Sequence, residues 1–201
     1  DIATGNAPIP MFLTYRTKAK IYGVEIQKEV FDLGVKSIIE NKMDNQITLI
    51  NDDAKNILNL FNYDYFDVIT CNPPYFNTNN FYFENNNKIK AIARHEKFLN
   101  LDDIFMISKR LLKVNGRLAL IHRTERLIEI LDIMKKYGFT IKKIRFVYPN
   151  FYKNSDLMLI ECVKGGKAGL KMLNPLFVYD KDGNYNIEVK SMFGDDVNDT
   201  K

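Results

Sequence analysis

Asn72-Pro73-Pro74-Tyr75 is the segment of this 201-residue chain whose residue types point most directly to chemistry. Two consecutive prolines remove two amide donors and stiffen the turn. An amide side chain precedes them and an aromatic ring follows. The turn can aim two acceptors, the Asn72 side-chain oxygen and the Pro73 carbonyl, at one point. Tyr75 offers a flat face to a planar group. A planar amine, such as the amino group of adenine or the amide of glutamine, is a poor nucleophile because its lone pair is delocalised. Two acceptors on its hydrogens favour the pyramidal geometry that frees the lone pair. The matching electrophile is a methyl held on a sulfonium, and the step is an in-line transfer driven by positioning and electrostatics. No strongly basic side chain is required. The bland alternative is a structural proline turn after a buried strand.

Three further places carry groups suited to an adenosine-containing cofactor. Residues 1–7 form a turn of small residues, including Asp1, Ala3, Gly5 and Ala7, that leads to Pro8 and Pro10 at the start of a helix. Glu25 lies 24 positions after Asp1, at the end of an apolar run, where an acid accepts hydrogen bonds from both ribose hydroxyls. Asp53 follows the next run, where a carboxylate reaches the exocyclic amine of an adenine ring and the amide of Ala54 meets the ring edge. Each also has a plain structural reading. Glu25 is then an exposed strand-end acid, and Asp52 or Asp53 caps a helix.

The elements that must position these groups alternate. Strands are expected over 21–25, 47–50, 66–71 and 117–121, and helices over 26–41, 54–61, 101–113 and 125–137. Asn115-Gly116 reads as the stop of the third helix and Gly138 as that of the fourth. Two strands, 139–148 and 157–163, then follow without a helix between them. This order predicts an α/β fold, a mostly parallel sheet of seven strands with helices on both faces and an antiparallel hairpin at one edge. Ligands of such sheets bind beyond the carboxyl ends of the strands. Residues 1–6 read as the exit of a strand, so a first, central strand is expected ahead of Asp1. Residues 77–90 read as a long polar loop. Residues 1–171 are expected to be the catalytic domain, incomplete at its N-terminus, and 172–201 a partly packed tail with a frayed end.

Composition excludes several classes. No apolar run approaches the roughly 20 residues of a membrane helix, and no secretory leader is recognisable. The two cysteines, Cys71 and Cys162, make neither a disulfide framework nor a metal knuckle. A reducing, cytoplasmic setting follows. The net charge of +4 is unevenly spread. Residues 1–75 carry 7 basic and 10 acidic side chains, residues 76–171 carry 19 and 9, and residues 172–201 carry 3 and 6. A basic middle between acidic ends suggests a face for a polyanion; a solvated lysine surface is the alternative.

Asn72-Pro73-Pro74-Tyr75 resembles the NPPY motif of class I, Rossmann-like, S-adenosylmethionine-dependent amino methyltransferases. Residues 1–7 sit where that group has its glycine-rich motif, and Glu25 where it has the ribose acid. Ala93-Arg94-His95-Glu96, Tyr148-Pro149, Lys164-Gly165-Gly166 and the tail from Asn174-Pro175-Leu176 to Tyr185 narrow the likeness to the YfiC/TrmN type of bacterial tRNA adenine-N6 methyltransferase, over essentially the whole chain. The resemblance implies S-adenosylmethionine held by Asp1, Ala3, Gly5, Glu25, Asp53, Ala54 and Asn72. It implies catalysis at Asn72, Pro73, Pro74 and Tyr75, on the adenine just 3′ of the anticodon of a valine tRNA. No obligate protein partner is implied. The family usually has glycine where this chain has Ala3 and Ala7, which predicts a weakened cofactor loop, because alanine lacks free access to positive φ.

For the RNA, the candidates are Phe76, Arg94, His95, Lys142, Lys143, Arg145, Lys153, Lys164 and Lys167. The basic residues suit phosphate, and aromatics including Phe76 suit a base turned out of its stack. Tyr148, Phe151 and Tyr152 form an aromatic cluster beside Lys153, although Phe151 and Tyr152 are more often core residues than base platforms. His95 and His122 read as hydrogen-bonded structural residues, and Cys71 as packed strand. Two other functions remain: a protein glutamine-N5 methyltransferase, which shares the motif, and an RNA-binding relative with a defective cofactor site.

Overall fold

The computed structural model describes residues 1–73 and 99–194. Apolar, β-branched runs form β1 (Ile21–Glu25), β2 (Ile47–Asn51) and β3 (Phe66–Cys71), followed by β4 (Leu112–Arg123), β5 (Phe139–Tyr148) and β6 (Leu157–Lys164). The helices are α1 (Pro8–Thr14), α2 (Lys28–Glu40), α3 (Leu101–Leu111), α4 (Leu127–Lys136) and, in the C-terminal segment, α5 (Ile187–Phe193). Where a helix was expected over 54–61, only a short 3-10 turn, Asn56–Asn59, forms.

β1 pairs β2 in parallel and β3 pairs β4 in parallel. β6 runs antiparallel to both β4 and β5, lying between them. The expected hairpin therefore has its second strand inside the sheet, and β5 is the outer one. Two-residue strands, β7 (Lys171–Met172) and β8 (Leu176–Phe177), pair along β5 and cover part of its free edge.

Between the two parallel pairs stands a single residue. Ile2 makes parallel bridges to Val24 of β1 and to Cys71 of β3. It donates its amide to the Thr70 carbonyl, and Thr4 donates to the Val24 carbonyl, both at 2.9 Å. Ile2 thus occupies a central strand position at the carboxyl end of the sheet. Toward the other end, β1 and β3 face each other across a cavity of about 460 Å³, lined among others by Tyr22, Phe61, Phe66 and Leu111.

The main core lies between β3, β4, β5, β6 and the helices α3 and α4. Ile104, Phe105, Ile107 and Leu111 of α3 are wholly buried, as is Ile130 of α4. Phe105 meets Phe139 edge to face at 5.5 Å. α3 starts on a capping box in which Asn100 and Asp103 exchange side-chain and backbone hydrogen bonds. It ends at Leu111, earlier than the Asn115-Gly116 signal. Asn115, at φ +65°, instead shapes a bulge within β4, where the register against β3 shifts between Phe66 and Val68. A Cβ on Gly116 would lie 2.8 Å from the Lys113 carbonyl oxygen, so the bulge needs glycine there.

Candidate active site

The turn of residues 1–7 leaves the sheet at its carboxyl edge and folds back against α2. Ala3, Gly5 and Ala7 all have positive φ, at 55°, 60° and 68°. Two alanines thus hold a conformation that suits glycine. The loop is fastened on several sides. The Asp1 carboxylate accepts from the hydroxyls of Thr4 and of Thr70 on β3, each at 2.7 Å. Gly23 in β1 permits the close approach: a Cβ there would stand 2.6 Å from Leu49 and 3.0 Å from Thr4.

Glu25 ends β1 as a buried carboxylate, 5% exposed. One of its oxygens accepts from the Gly5 amide at 2.9 Å, the other from the Gln27 amide at 2.8 Å. Two backbone donors therefore orient the carboxylate and tie it to the loop. The Gln27 side-chain amide adds a longer bond at 3.4 Å, and since a carboxylate has about four acceptor positions, it can still accept from a ligand in the cavity. Asn51, the register partner of Glu25 on β2, secures the strand end by donating to the Glu25 carbonyl at 2.8 Å.

Ala3, Gly5, Glu25, Asp53 and Ala54 line one cavity of about 220 Å³, together with Val24, Ile26, Gln27, Asp52 and Leu99. The donor set matches an adenosine group: carboxylates for ribose hydroxyls and an exocyclic amine, and apolar Ile26, Ala54 and Leu99 for a flat ring. Asp53 also accepts from the Lys55 amide at 2.9 Å. Of the residues expected to hold a cofactor, Asp1 and Asn72 do not line this cavity, and Asp1 instead braces the loop through Thr4 and Thr70. Gln27, Asn51 and Thr70 escaped sequence reasoning. Asn51 carried a usable signal, since it ends β2 as Glu25 ends β1.

Asn72 is exposed and Pro73 buried, directly after β3. Because Ile2 is bridged to Cys71 in parallel, Ala3 and Asn72 leave adjacent strand positions side by side. The spacing between neighbouring strands is about 4.8 Å. The motif and the cavity loop therefore share one corner of the sheet. Pro74, Tyr75, Phe76, Arg94 and His95 lie outside the described residues. The Cys71 thiol, 2% exposed, has its pKa pushed up to about 12 by burial.

The proposed RNA contacts divide by strand direction. Lys153 lies in the turn between β5 and β6, at the same edge as Asn72. Lys164 ends β6, which runs the other way, and so sits at the opposite edge. Its ammonium donates to Asp64 at 2.6 Å and to the Leu112 carbonyl at 2.7 Å. Lys142 is close to Lys164 and Lys167 there, and donates to the Lys167 carbonyl. Lys143 pairs with Glu161 at 3.0 Å. Arg145 pairs with Glu188 at 2.7 Å and donates to the Asn174 carbonyl at 2.8 Å, fastening the C-terminal segment to β5. The structure does not bring Lys142, Lys143, Arg145, Lys164 and Lys167 together around Asn72.

His122, near the end of β4, is 1% exposed, and its Nδ1 accepts from the Arg123 amide at 2.9 Å. Burial first, then the nearby Arg126 charge, pulls its pKa down to about 4. The folded protein holds this imidazole neutral, whereas the unfolded chain protonates it below about 6.5. Stability is then lost as pH falls from about 6.5 to about 4, on the order of 3 kcal/mol over the window. Urea unfolding across this range should show the decline, and His122→Leu should flatten it.

The positive-φ alanines give a second expectation. Ala3→Gly should raise stability by about 1 kcal/mol, because left-handed alanine costs roughly that much. It should also tighten cofactor binding, because it removes a methyl from the cavity wall. Ala7→Gly should gain less, since the Ala7 methyl is fully buried against Ile21, Ile38 and Ile47. Thermal unfolding and calorimetry of the two variants would check the order.

No family model matches the chain. It is similar to proteins named tRNA1(Val) (adenine(37)-N6)-methyltransferase. That of Shewanella woodyi is 22% identical over 196 residues, 94% of this chain and 79% of the relative. That of Aliivibrio salmonicida is 25% identical over 162 residues, 80% and 67% of the two chains. That of Porphyromonas gingivalis is 28% identical over 164 residues, 80% and 63%. Among solved structures, a predicted O-methyltransferase of Agrobacterium tumefaciens superimposes with a TM-score of 0.76 at 18% identity, covering 97% of this chain and 87% of its own. A SAM-dependent methyltransferase of Aquifex aeolicus gives 0.57 at 12% identity, covering 81% and 79%. The chain has the Rossmann-like class I methyltransferase fold.

Proposed function

We propose that this chain transfers a methyl group from S-adenosylmethionine to the N6 amine of an adenine in tRNA, the adenine beside the anticodon of a valine tRNA. The observation that carries the reading is the shared corner of loop and motif: Ile2, bridged to both β1 and β3, sets Ala3 beside Asn72. Similarity to relatives named for this reaction, over most of the chain, supports it. The reading places the protein in the cytoplasm and requires no protein partner. No helix among the described residues is long and apolar enough to cross a membrane.

The chain's own residues divide the work. Glu25, fixed by the amides of Gly5 and Gln27, accepts the ribose hydroxyls. Asp53 and the Ala54 amide recognise the adenine edge, and Ile26 and Leu99 exclude water from its faces. The cofactor, when bound, supplies a methyl activated by a sulfonium. Asn72 and the Pro73 carbonyl accept hydrogen bonds from the target amine and direct its lone pair at that methyl. The new N–C bond forms as the methyl's bond to sulfur breaks, the electron pair staying on sulfur, which leaves as a neutral thioether, and the nitrogen sheds a proton to solvent. Burial of Pro73 anchors the backbone that carries both acceptors.

Full-length protein incubated with labelled S-adenosylmethionine and unmodified tRNA should yield label in N6-methyladenosine. Label confined to glutamine of a release-factor protein would sink the reading. A second reading has one observation in its favour, the alanines at positions 3 and 7. Yet both alanines adopt positive φ, so the loop keeps its shape and the cost falls on folding. RNA binding with no measurable cofactor binding would make this chain a non-catalytic relative.

A further inference from the structure

Phe151 and Tyr152 are 78% and 82% exposed, more than any other large hydrophobic side chain among the described residues. They sit in the turn between β5 and β6. β5 runs parallel to β3 and β4, because both β4 and β5 are antiparallel to β6. The end of β5 is therefore at the same edge of the sheet as Asn72. Three strand spacings separate the two, roughly 14 Å, a reach of a few nucleotides.

The turn is tied down although its rings are bare. The Tyr152 amide donates to the Asn150 side-chain oxygen at 3.0 Å. The Ser155 hydroxyl shares its proton between the carbonyls of Val147 and Leu157, and Thr124, just after β4, donates to the Ser155 carbonyl at 2.6 Å. The Tyr179 amide holds the Pro149 carbonyl at 2.8 Å. Behind the turn, Phe177, set in register with Tyr148 by β8, meets Phe151 at 5.9 Å and Tyr148 at 5.4 Å. Phe151 and Tyr152 stand edge to face at 5.8 Å. Two flat apolar surfaces are thus presented to water from a turn whose backbone is tied down, with Lys153 next in the chain. Packing does not account for them.

We propose that Phe151 and Tyr152 form a stacking platform for an unpaired base of the RNA substrate, a base flanking the target adenine, with Lys153 on the adjoining phosphate. This rests on the tRNA reading above and adds a binding surface to it. Three features select RNA as the occupant. The platform lies on the same edge as the reacting corner. A lysine, Lys153, follows the two rings in the same turn. The proposed reaction also requires an adenine turned out of its stack, which leaves its neighbours in need of new stacking partners.

Phe151→Ala/Tyr152→Ala should raise the Kd for an unmodified anticodon stem-loop RNA about tenfold. Affinity for S-adenosylmethionine and the melting temperature should stay unchanged. Phe151→Tyr and Tyr152→Phe, which keep the rings, should bind as the parent does. Lys153→Ala should instead lower the salt slope of binding by about 1. In the Asn72→Ala background, 2-aminopurine placed beside the target adenine should be quenched by the intact platform and not by the double variant. Unchanged RNA affinity in an enzyme that methylates tRNA would overturn the platform and leave the function standing. Lost RNA affinity in a chain that methylates no RNA would uphold the platform and overturn the reaction. A double variant impaired only toward a protein substrate would overturn the platform.

Discussion

Asn72→Ala is expected to lower kcat for methyl transfer by about 10²–10³-fold while cofactor affinity changes little. The magnitude is that of removing one preorganised polar group aimed at the charge that develops in a transition state. Asn72 follows β3 outside the carboxylate-lined cavity, so its loss leaves Glu25 and Asp53 in place. Asn72→Gln should fare little better than alanine, since an added methylene moves the acceptor by more than 1 Å, and displacements of that size cost about 10²-fold. Rapid-quench turnover at saturating RNA, paired with calorimetry for the cofactor, measures both halves. Near-parental turnover in Asn72→Ala would remove the residue from the chemistry.

Glu25→Ala is expected to do the reverse and more: weaken S-adenosylmethionine about 100-fold and lower stability by about 2 kcal/mol. Each hydrogen bond to a charged acceptor is worth about 1.5–3 kcal/mol, and the ribose is proposed to make two. Stability falls because the amides of Gly5 and Gln27 lose their acceptor in a site only 5% exposed. Glu25→Gln is informative because its NH2 group must face one of these two amides, donor against donor. It should therefore recover little of either property. Cofactor titration and urea unfolding on the same samples separate the effects. Unaltered affinity in Glu25→Ala would mean that the cavity binds something other than a nucleoside.

The cavity was legible in the sequence because its parts sit at strand ends, and strand ends follow from local pattern. Glu25 and Asp53 each close an apolar run and arrive at the same edge in a parallel sheet. The basic residues were less legible for a related reason. Lys153 and Lys164 are close in the chain, but β6 separates them and runs its full length between the two edges. Direction, not proximity, decides which lysine meets a substrate at Asn72. The short strands β7 and β8 carry too few residues for any periodicity, and only pairing with β5 reveals them. Asn115-Gly116 misled because a left-handed residue followed by glycine serves a bulge as well as a helix stop. Phe151 and Tyr152 read as core from type alone, whereas the tied turn holds them in solvent.

Cys71 directly precedes Asn72 in the chain, and burial keeps its thiol in the protonated form at any physiological pH. Peroxides and electrophiles react with thiolates that they can reach. The residue beside the proposed reacting corner offers neither charge nor access. The only other cysteine, Cys162, is buried and held protonated in the same way. Thiol-directed reagents should therefore leave both cysteines unmodified in the folded protein and label them only when it unfolds.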